Sequence, residues 1–291
     1  MQAVIVSSNE KRMGEIAGQI GILTLENKPP ERDYVDLYLA TGGSPLPVYD
    51  YLKVSYRRGR ISFNFTRTRN LDEYVIRDRR FWPFSYKVFM KRNFFDAIDI
   101  NPANTCIPNA LARDPDEEAN YYEKLNEDLG PTQVTYCGVG PKTTHIAFCE
   151  PPADINSPTH VQCLDIRTRK ANARFVNGNV EMVPEYAITV GIGTIRKYSN
   201  TVVLLTTGNK QNEVTTILRA REFNPNAPGT ALRTMPYALY CITKDDLMPE
   251  WSGMGIEDVK GVDRILIDPT DDELRDFLKR TDFINIAYAK S

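Results

Sequence analysis

The chain has 291 residues, enough to bury a sizeable core in one large domain or two small ones. Its 36 basic and 38 acidic side chains leave a formal net charge of −2, so no long-range field draws it to nucleic acid or to an anionic membrane. No run approaches the ~20 apolar residues that span a bilayer, the start lacks a signal-peptide pattern, and five scattered cysteines without a CxxC pair favour neither a metal site nor disulfides. We therefore expect a soluble, cytoplasmic protein.

Strand patterns and helix patterns follow one another along the chain. The predicted strands cover residues 4–6, 34–39, 61–66, 134–140, 201–207 and 264–268. The predicted helices cover residues 9–25, 47–54, 86–95, 114–129, 214–221 and 271–280. This alternation indicates an α/β protein, and the absence of repeats or a clear linker favours a single domain over residues 1–291. Polar residues 152–185 lack apolar periodicity and are expected to form a flexible lid over a site.

Three glycine-containing loops follow predicted strands, at residues 40–45, 138–150 and 207–210. Ligands of open α/β sheets bind beyond the carboxyl ends of the strands, so these loops are the candidate binding elements. The first loop contains Thr41-Gly42-Gly43-Ser44, whose glycines allow close backbone approach and whose following helix N-terminus favours an anion. The same composition is also common in plain turns that bind nothing.

Two acidic residues, Asp72 and Glu73, follow a predicted strand, where a catalytic carboxylate would lie. The pattern fits an acid pair at the start of a helix as well. His145 has Glu150 five residues further on, and a carboxylate beside an imidazole holds one tautomer and raises its basicity. A lone histidine before an apolar run is also a common structural residue.

Two cationic residues, Arg174 and Lys210, could clamp a phosphate group. In a chain with 36 basic residues, each could equally be a solvated surface charge. Residue patterns by themselves therefore reach an α/β protein with a candidate sugar-phosphate site, and no further.

Eight short motifs occur in register along the chain. They are residues 39–46 (LATGGSPL), 70–75 (NLDEYV), 85–86 (SY), 92–96 (RNFFD), 145–151 (HIAFCEP), 171–175 (ANARF), 183–194 (VP followed by AITVGIGT) and 208–210 (GNK). In order and spacing they resemble the glucosamine-6-phosphate deaminase family from about residue 34 to 215, and more loosely to about 240. The DEYV segment favours this branch over the related 6-phosphogluconolactonases.

The resemblance implies a Rossmann-like three-layer sandwich, a mostly parallel sheet flanked by helices with a lid, that binds no dinucleotide, metal or other cofactor. The implied partner is a small sugar phosphate, and the implied reaction converts glucosamine 6-phosphate into fructose 6-phosphate and ammonia. Relatives occur as monomers, trimers and hexamers, so the resemblance leaves a homo-oligomer open.

The resemblance also implies roles for particular residues. Residues 41–44 (Thr41, Gly42, Gly43 and Ser44), Arg174 and Lys210 would bind the phosphate. Asp72 would be the base that moves a proton between C2 and C1, because one carboxylate can take and return the same proton. His145, supported by Glu150, would assist ring opening, and the lid over 152–185 would carry Arg174 and exclude water.

One loop departs from the family pattern. Between the glycine turn and the histidine the family usually has three residues with an aspartate in the middle, whereas here residues 141–144 are Pro-Lys-Thr-Thr. His145 would lose an orienting carboxylate, and Lys142 would oppose protonation of its ring. The alternative interpretation is therefore a non-catalytic paralogue that senses a sugar phosphate or regulates a partner. A lactonase has no support beyond the shared fold.

Overall fold

The structure is a computed structural model that describes residues 1–247 and 261–289. Its strands are β1 (Gln2–Ser7), β2 (Val35–Leu39), β3 (Thr66–Asn70), β4 (Asp72–Tyr74), β5 (Thr105–Cys106), β6 (Thr132–Gly138), β7 (His160–Cys163), β8 (Tyr186–Thr189), β9 (Ser199–Leu205), β10 (Ala238–Thr243) and β11 (Arg264–Ile267). Its α-helices are α1 (Glu10–Glu26), α2 (Leu46–Arg57), α3 (Tyr86–Asn93), α4 (Pro115–Leu129), α5 (Ile166–Asn172), α6 (Ile192–Tyr198), α7 (Gln211–Arg219), α8 (Asp271–Arg280) and α9 (Phe283–Tyr288).

Eight strands form one sheet in the order β11-β1-β10-β9-β6-β2-β3-β5, and all their pairings are parallel. Parallel neighbours need crossover connections, so helices cover both faces. The core on one face contains side chains of α1, α2, α3, α8 and α9, and the core on the other contains side chains of α4, α6 and α7. The predicted three-layer α/β sandwich with a mostly parallel sheet is confirmed.

The direction of winding reverses between β2 and β6. From β2 the chain adds β3 and β5 on one side, and it then returns to add β6, β9 and β10 on the other. At such a switch point the loops that leave the two strands diverge and open a crevice at the carboxyl end of the sheet. The fold therefore offers its main ligand crevice between residues 40–44 and residues 139–145.

The third strand is displaced from its predicted position. The predicted strand covers residues 61–66, whereas β3 covers Thr66–Asn70. Ile61 and Phe63 pack into the core from the loop that precedes β3. The apolar pattern of the sequence does not predict a strand at these positions, because the sequence of β3, TRTRN, is polar. Its arginines are nevertheless paired: Arg67 binds Asp36 of β2 with two 2.9 Å hydrogen bonds, and the fully buried Arg69 donates to carbonyl oxygens near the end of α4.

A smaller antiparallel sheet, β4-β8-β7, adjoins the carboxyl end of the main sheet. β3 ends at Asn70, and after Leu71 the chain continues as β4 from Asp72. Asp72 and Glu73 therefore lie in a strand, and the interpretation of the two as an acid pair at the start of a helix is wrong. The Glu73 carboxylate instead accepts backbone N–H groups of Tyr86 and Lys87, at the start of α3 (2.8 and 2.9 Å). An acidic side chain does therefore stabilise a helix start here, but Glu73 lies 13 residues before the helix that it caps.

Residues 152–185, predicted as a lid, contain β7 and α5, and β7 pairs with β8. The segment passes over the carboxyl end of the main sheet and returns through β8. No helix within residues 1–247 and 261–289 has both the length and the apolarity that crossing a bilayer would require.

Candidate active site

A cleft with an empty volume of about 620 Å³ lies at the carboxyl ends of β9, β6, β2 and β3, which are neighbours in the sheet. The loops that follow these strands form its floor, and residues of the predicted lid form one wall. The lining residues are Ala40, Thr41, Gly42, Gly43, Ser44, Asp72, Tyr86, Gly138, Val139, Gly140, Pro141, His145, Ala147, Phe148, Asn172, Arg174, Thr207 and Lys210.

The cleft brings together eight of the nine site residues expected from the sequence. The ninth, Glu150, is not among the lining residues and lies behind the His145 ring, with its Oε2 3.3 Å from Nδ1. Residues from five separate stretches of the chain, between positions 41 and 210, thus meet in one place. Since each stretch follows a strand or belongs to the segment over the sheet end, the fold itself places them together.

Asp72 is a buried carboxylate facing the cleft, with 6% of its surface exposed. Burial raises the pKa of Asp72 to about 7, and the Thr41 hydroxyl, 3.5 Å from Oδ1, lowers it only slightly. A carboxyl group that titrates near neutral pH can both take and return a proton. Asp72 therefore has the properties of a general acid–base.

The glycine turn before α2 has the shape of an anion cradle. Gly42 has a φ of +88°, in the left-handed region that favours glycine, and nothing fills the space where its Cβ would lie. The Ser44 hydroxyl lies 3.3 Å from the Thr207 hydroxyl, so the turn after β2 meets the loop after β9. The turn leads directly into the N-terminal end of a 12-residue helix, which favours negative charge.

The two cations expected at the cleft differ in their surroundings. Lys210 is 9% exposed, and its pKa is lowered, mainly by burial, while the nearby Glu213 opposes the shift. Arg174 is exposed, and its guanidinium lies near Gly43 of the glycine turn. A buried ammonium group and an exposed guanidinium thus flank the same anion cradle.

A buried carboxylate that the sequence analysis did not single out supports the Lys210 loop. Asp246, with no exposed surface, accepts hydrogen bonds from Thr206 Oγ1 (2.6 Å), the Lys210 backbone N–H (2.8 Å) and Thr243 Oγ1 (2.7 Å). These bonds join the loop after β9 to the end of β10. The contacts with Thr206 and Lys210 span 40 and 36 residues, and no local pattern signals them.

Two further lining residues, Tyr86 and Asn172, stand in motifs that the sequence analysis noted without assigning a role. Tyr86 Oη donates to Tyr74 Oη (3.3 Å), and Asn172 Nδ2 donates to the same oxygen (2.9 Å). The Tyr86 ring also stacks on Phe148, with centroids 5.8 Å apart. This aromatic wall closes the cleft beside Asp72.

The loop that departs from the family pattern is compact. The Gly140 N–H donates to the His145 carbonyl (2.8 Å), and the Thr144 N–H donates to the Gly140 carbonyl (3.1 Å). Closing this short loop puts Lys142 and Thr144 at φ of +68° and +53°, a conformation that costs non-glycine residues about 1 kcal/mol or more each. The Lys142 side chain is exposed, while its backbone N–H donates to Glu213 Oε1 (2.7 Å).

His145 is held from behind through Nδ1. Burial alone would raise the pKa of Glu150, but its hydrogen bonding and charge interaction with His145, together with a hydrogen bond from Thr168, leave that pKa below its usual value. Glu150 is therefore ionised at neutral pH and favours a proton on Nδ1. The other ring nitrogen, Nε2, lies against Gly140 at the cleft side.

Replacing Gly140 by alanine is expected to lower kcat about 10²-fold, because a Cβ there would lie 2.0 Å from Nε2 and 2.1 Å from Cε1 of His145 and so push the ring out of place. The matched control is Gly138→Ala, whose Cβ would meet Ser44 at an ordinary 3.5 Å and which should lose far less activity. Steady-state kinetics of both variants, with circular dichroism as the folding check, measures the difference. Equal losses in the two variants would contradict this role of Gly140.

Within the described part of the chain, no group of three or more histidine, cysteine or acidic side chains is arranged to hold a metal ion. The cleft instead joins a buried acid–base carboxylate, an oriented imidazole and two cations beside an anion cradle. Fold and site together define a Rossmann-like α/β protein with an acid–base cleft for a small anionic ligand.

Comparisons with known proteins name the family. The chain is 37% identical over 230 residues to the glucosamine-6-phosphate deaminase of Bacillus pumilus, an alignment that covers 79% of this chain and 92% of the relative. It is 35% identical over 265 residues to the glucosamine-6-phosphate deaminase of Thermoanaerobacter pseudethanolicus, and this alignment covers 90% of this chain and 99% of the relative. This chain belongs to the glucosamine-6-phosphate deaminase family, as its motifs predicted. No protein-family model matches it.

Solved structures agree with this assignment. A monomeric glucosamine-6-phosphate deaminase, described as a missing link of the NagB superfamily, superposes with a TM-score of 0.77 at 33% identity, over 84% of this chain and 98% of the other. The 6-phosphogluconolactonase of Thermotoga maritima superposes with a TM-score of 0.62 at 18% identity, over 84% of this chain and 100% of the other. The second likeness shows a shared fold only, and nothing in the comparisons favours a non-catalytic protein.

Proposed function

We propose that this protein is an enzyme that converts glucosamine 6-phosphate and water into fructose 6-phosphate and ammonia. The proposal rests on one observation, the meeting of four groups in one cleft. They are the buried carboxyl group of Asp72, with a pKa of about 7, the imidazole of His145, and the cations of Arg174 and Lys210. The names of the relatives supply the substrate, and the chemistry of the cleft suits it.

The substrate phosphate would lie in the turn formed by residues 41–44, between Arg174 and Lys210. Backbone N–H groups and hydroxyls donate to phosphate oxygens in such turns, and the cations balance the charge. The sugar would then extend from the cradle towards Asp72 and His145, which line the same cleft.

His145 would assist ring opening through Nε2, by moving the proton between the C1 hydroxyl and the ring oxygen. Asp72 would then take the C2 proton of the open-chain aldehyde while the protonated amino group of the substrate gives a proton to the C1 oxygen, which leaves an enolamine, and Asp72 would return its proton to C1. The product is an imine at C2, which water hydrolyses to the ketone and ammonia. One carboxyl group serves both transfers, because its pKa of about 7 leaves both protonation states accessible.

The test is to incubate the purified protein with glucosamine 6-phosphate and to measure ammonia and fructose 6-phosphate. Equal amounts of the two products are expected, and neither with 6-phosphogluconolactone as the control substrate. If the protein binds glucosamine 6-phosphate saturably but forms no product, the non-catalytic alternative replaces this proposal. If it does not bind the sugar phosphate at all, the site assignment is wrong as well.

We further propose that residues 152–185 act as the lid of a single domain that works in the cytoplasm. Asn172 and Arg174 of this segment line the cleft, so a movement of the segment would change access to Asp72. The cysteines Cys106, Cys137, Cys149, Cys163 and Cys241 are all free, which suits a reducing compartment.

A further inference from the structure

Three oxygen atoms from three different places in the chain surround one nitrogen of His145. The closest is Thr143 Oγ1, 2.7 Å from Nδ1. Thr168 Oγ1 of α5 and Glu150 Oε2 each lie 3.3 Å from the same nitrogen. The shortest contact to the imidazole is therefore made by a hydroxyl group, and the carboxylate is farther away.

The compact loop between Gly140 and His145 places this hydroxyl. Lys142 and Thr144 take left-handed backbone conformations, and between them the Thr143 side chain turns inward, with 2% of its surface exposed. The backbone closure of the loop, from Gly140 N–H to the His145 carbonyl, holds Thr143 and the imidazole in one rigid unit. Where the resemblance leads one to expect an acidic residue, this loop supplies a hydroxyl.

A hydroxyl and a carboxylate act differently on an imidazole. A carboxylate accepts only, whereas a threonine hydroxyl can accept from Nδ1–H or donate to a bare Nδ1. The ionised Glu150 favours the first arrangement, and Thr168 Oγ1 offers Nδ1 a second hydroxyl oxygen at 3.3 Å. Asp165, the N-cap residue of α5, also acts on His145 by its charge, but it is paired with Arg167 at 2.7 Å.

We propose that Thr143 is a positioning residue for the reaction: it accepts a hydrogen bond from Nδ1–H of His145 and so keeps Nε2 unprotonated and directed to the cleft. Thr168 assists it from α5. The inference rests on the proposed function for its kinetic consequence, but the hydrogen bond itself can be tested without any turnover. It also explains how the chain orients His145 without an acidic residue in the 141–144 loop.

The chain has only two histidines, His145 and His160, so imidazole nitrogen NMR of the full-length protein gives a simple spectrum. His160→Gln assigns the signals by removing one set. We expect His145 of the wild-type protein to show the Nδ1–H tautomer at neutral pH. Thr143→Val, which keeps the side-chain shape without the hydroxyl, should lose the single tautomer, and Thr143→Ser should keep it. An Nε2–H tautomer in the wild type, or an unchanged spectrum in Thr143→Val, would overturn the proposal.

The kinetic arm uses the same variants with glucosamine 6-phosphate. Thr143→Val should lower kcat at least about tenfold and change KM less than about threefold, because the substrate does not touch Thr143. Thr143→Ser should recover most of the loss, and Thr168→Val should lose less than Thr143→Val. Equal losses in the valine and serine variants would mean that only the shape of the side chain matters, which contradicts the proposal.

The two arms separate this inference from the proposed function. A wild-type protein that produces no ammonia refutes the proposed function, while the tautomer of His145 still decides the role of Thr143. If Thr143→Val does not fold, Thr143→Ala replaces it: loss of the single tautomer in Thr143→Ala and its retention in Thr143→Ser support the proposal, and an unchanged Thr143→Ala spectrum overturns it.

Discussion

Replacing Asp72 by asparagine is expected to lower kcat at least about 10³-fold while the protein stays folded and still binds the sugar phosphate. An amide of the same shape cannot take the C2 proton, and losing a general base commonly costs 10²–10⁴-fold. The measurement is ammonia release together with calorimetric binding of glucosamine 6-phosphate. In D2O, the wild-type product should carry solvent deuterium at C1, since the Asp72 proton exchanges with water, and the variant should form no such product.

The pH dependence gives Asp72 a signature of its own. Because burial raises the pKa of Asp72 to about 7, the base form is lost as the pH falls through about 7, and kcat/KM should fall with it. An acid limb near pH 4, where an ordinary carboxyl titrates, would contradict this account of the site. A matched control is Asp128→Asn on the exposed surface of α4, which should keep the wild-type profile.

The same pKa predicts a stability change of definite sign. The folded-state pKa of Asp72 lies above its unfolded value of 3.8, so the folded state binds the proton more tightly, and stability falls as the pH rises from about 4 to about 7. About three pKa units correspond to at most about 4 kcal/mol. Asp72→Asn removes this effect, so at pH 8 the variant should melt at a higher temperature than the wild type. A lower melting temperature of Asp72→Asn would contradict the destabilising effect of the ionised Asp72 carboxylate.

The alternation of strands and helices and the meeting of the loops were predictable from the sequence, because both follow from local patterns, whereas β5, β10 and the strands of the small sheet were not among the predicted strands. Alternating strands and helices predict a parallel sheet, and loops after parallel strands meet at one edge. The N-cap of α8 illustrates how far local signals reach: Thr270 and Glu273 form the reciprocal capping bonds that their spacing predicts. The polar strand β3 shows the limit, since the partners of Arg67 and Arg69 lie 31 and 57 or more residues away.

The parts of the site that escaped prediction are those formed by distant contacts. Asp246 supports Lys210 from the turn that follows β10, and Glu73 supports Tyr86 by capping a helix 13 residues further on. The role of Thr143 escapes prediction because the sequence shows the missing aspartate but not the direction of a hydroxyl. A backbone that turns twice through left-handed conformations decided that direction, and no residue there is a glycine that would have signalled it.

Replacing Lys210 by glutamine is expected to raise KM for glucosamine 6-phosphate about 10²-fold and to change kcat much less. A charge-assisted hydrogen bond contributes about 1.5–3 kcal/mol, and glutamine keeps a polar side chain, one atom shorter, but not the charge. The loss should be specific for the phosphate, so inhibition by inorganic phosphate should weaken in the same proportion. Lys11→Gln, on the exposed face of α1, is the matched control for the change in net charge.

The surroundings of Lys210 add a pH test to this prediction. Burial lowers the pKa of Lys210 below the usual lysine value, so its charge, and with it the binding of phosphate, should be lost at a lower pH than for an exposed lysine. In the wild type, KM should therefore rise towards alkaline pH before free lysines titrate, and in Lys210→Gln this rise should be absent. A KM that rises equally in both proteins would mean that another group, and not Lys210, holds the phosphate.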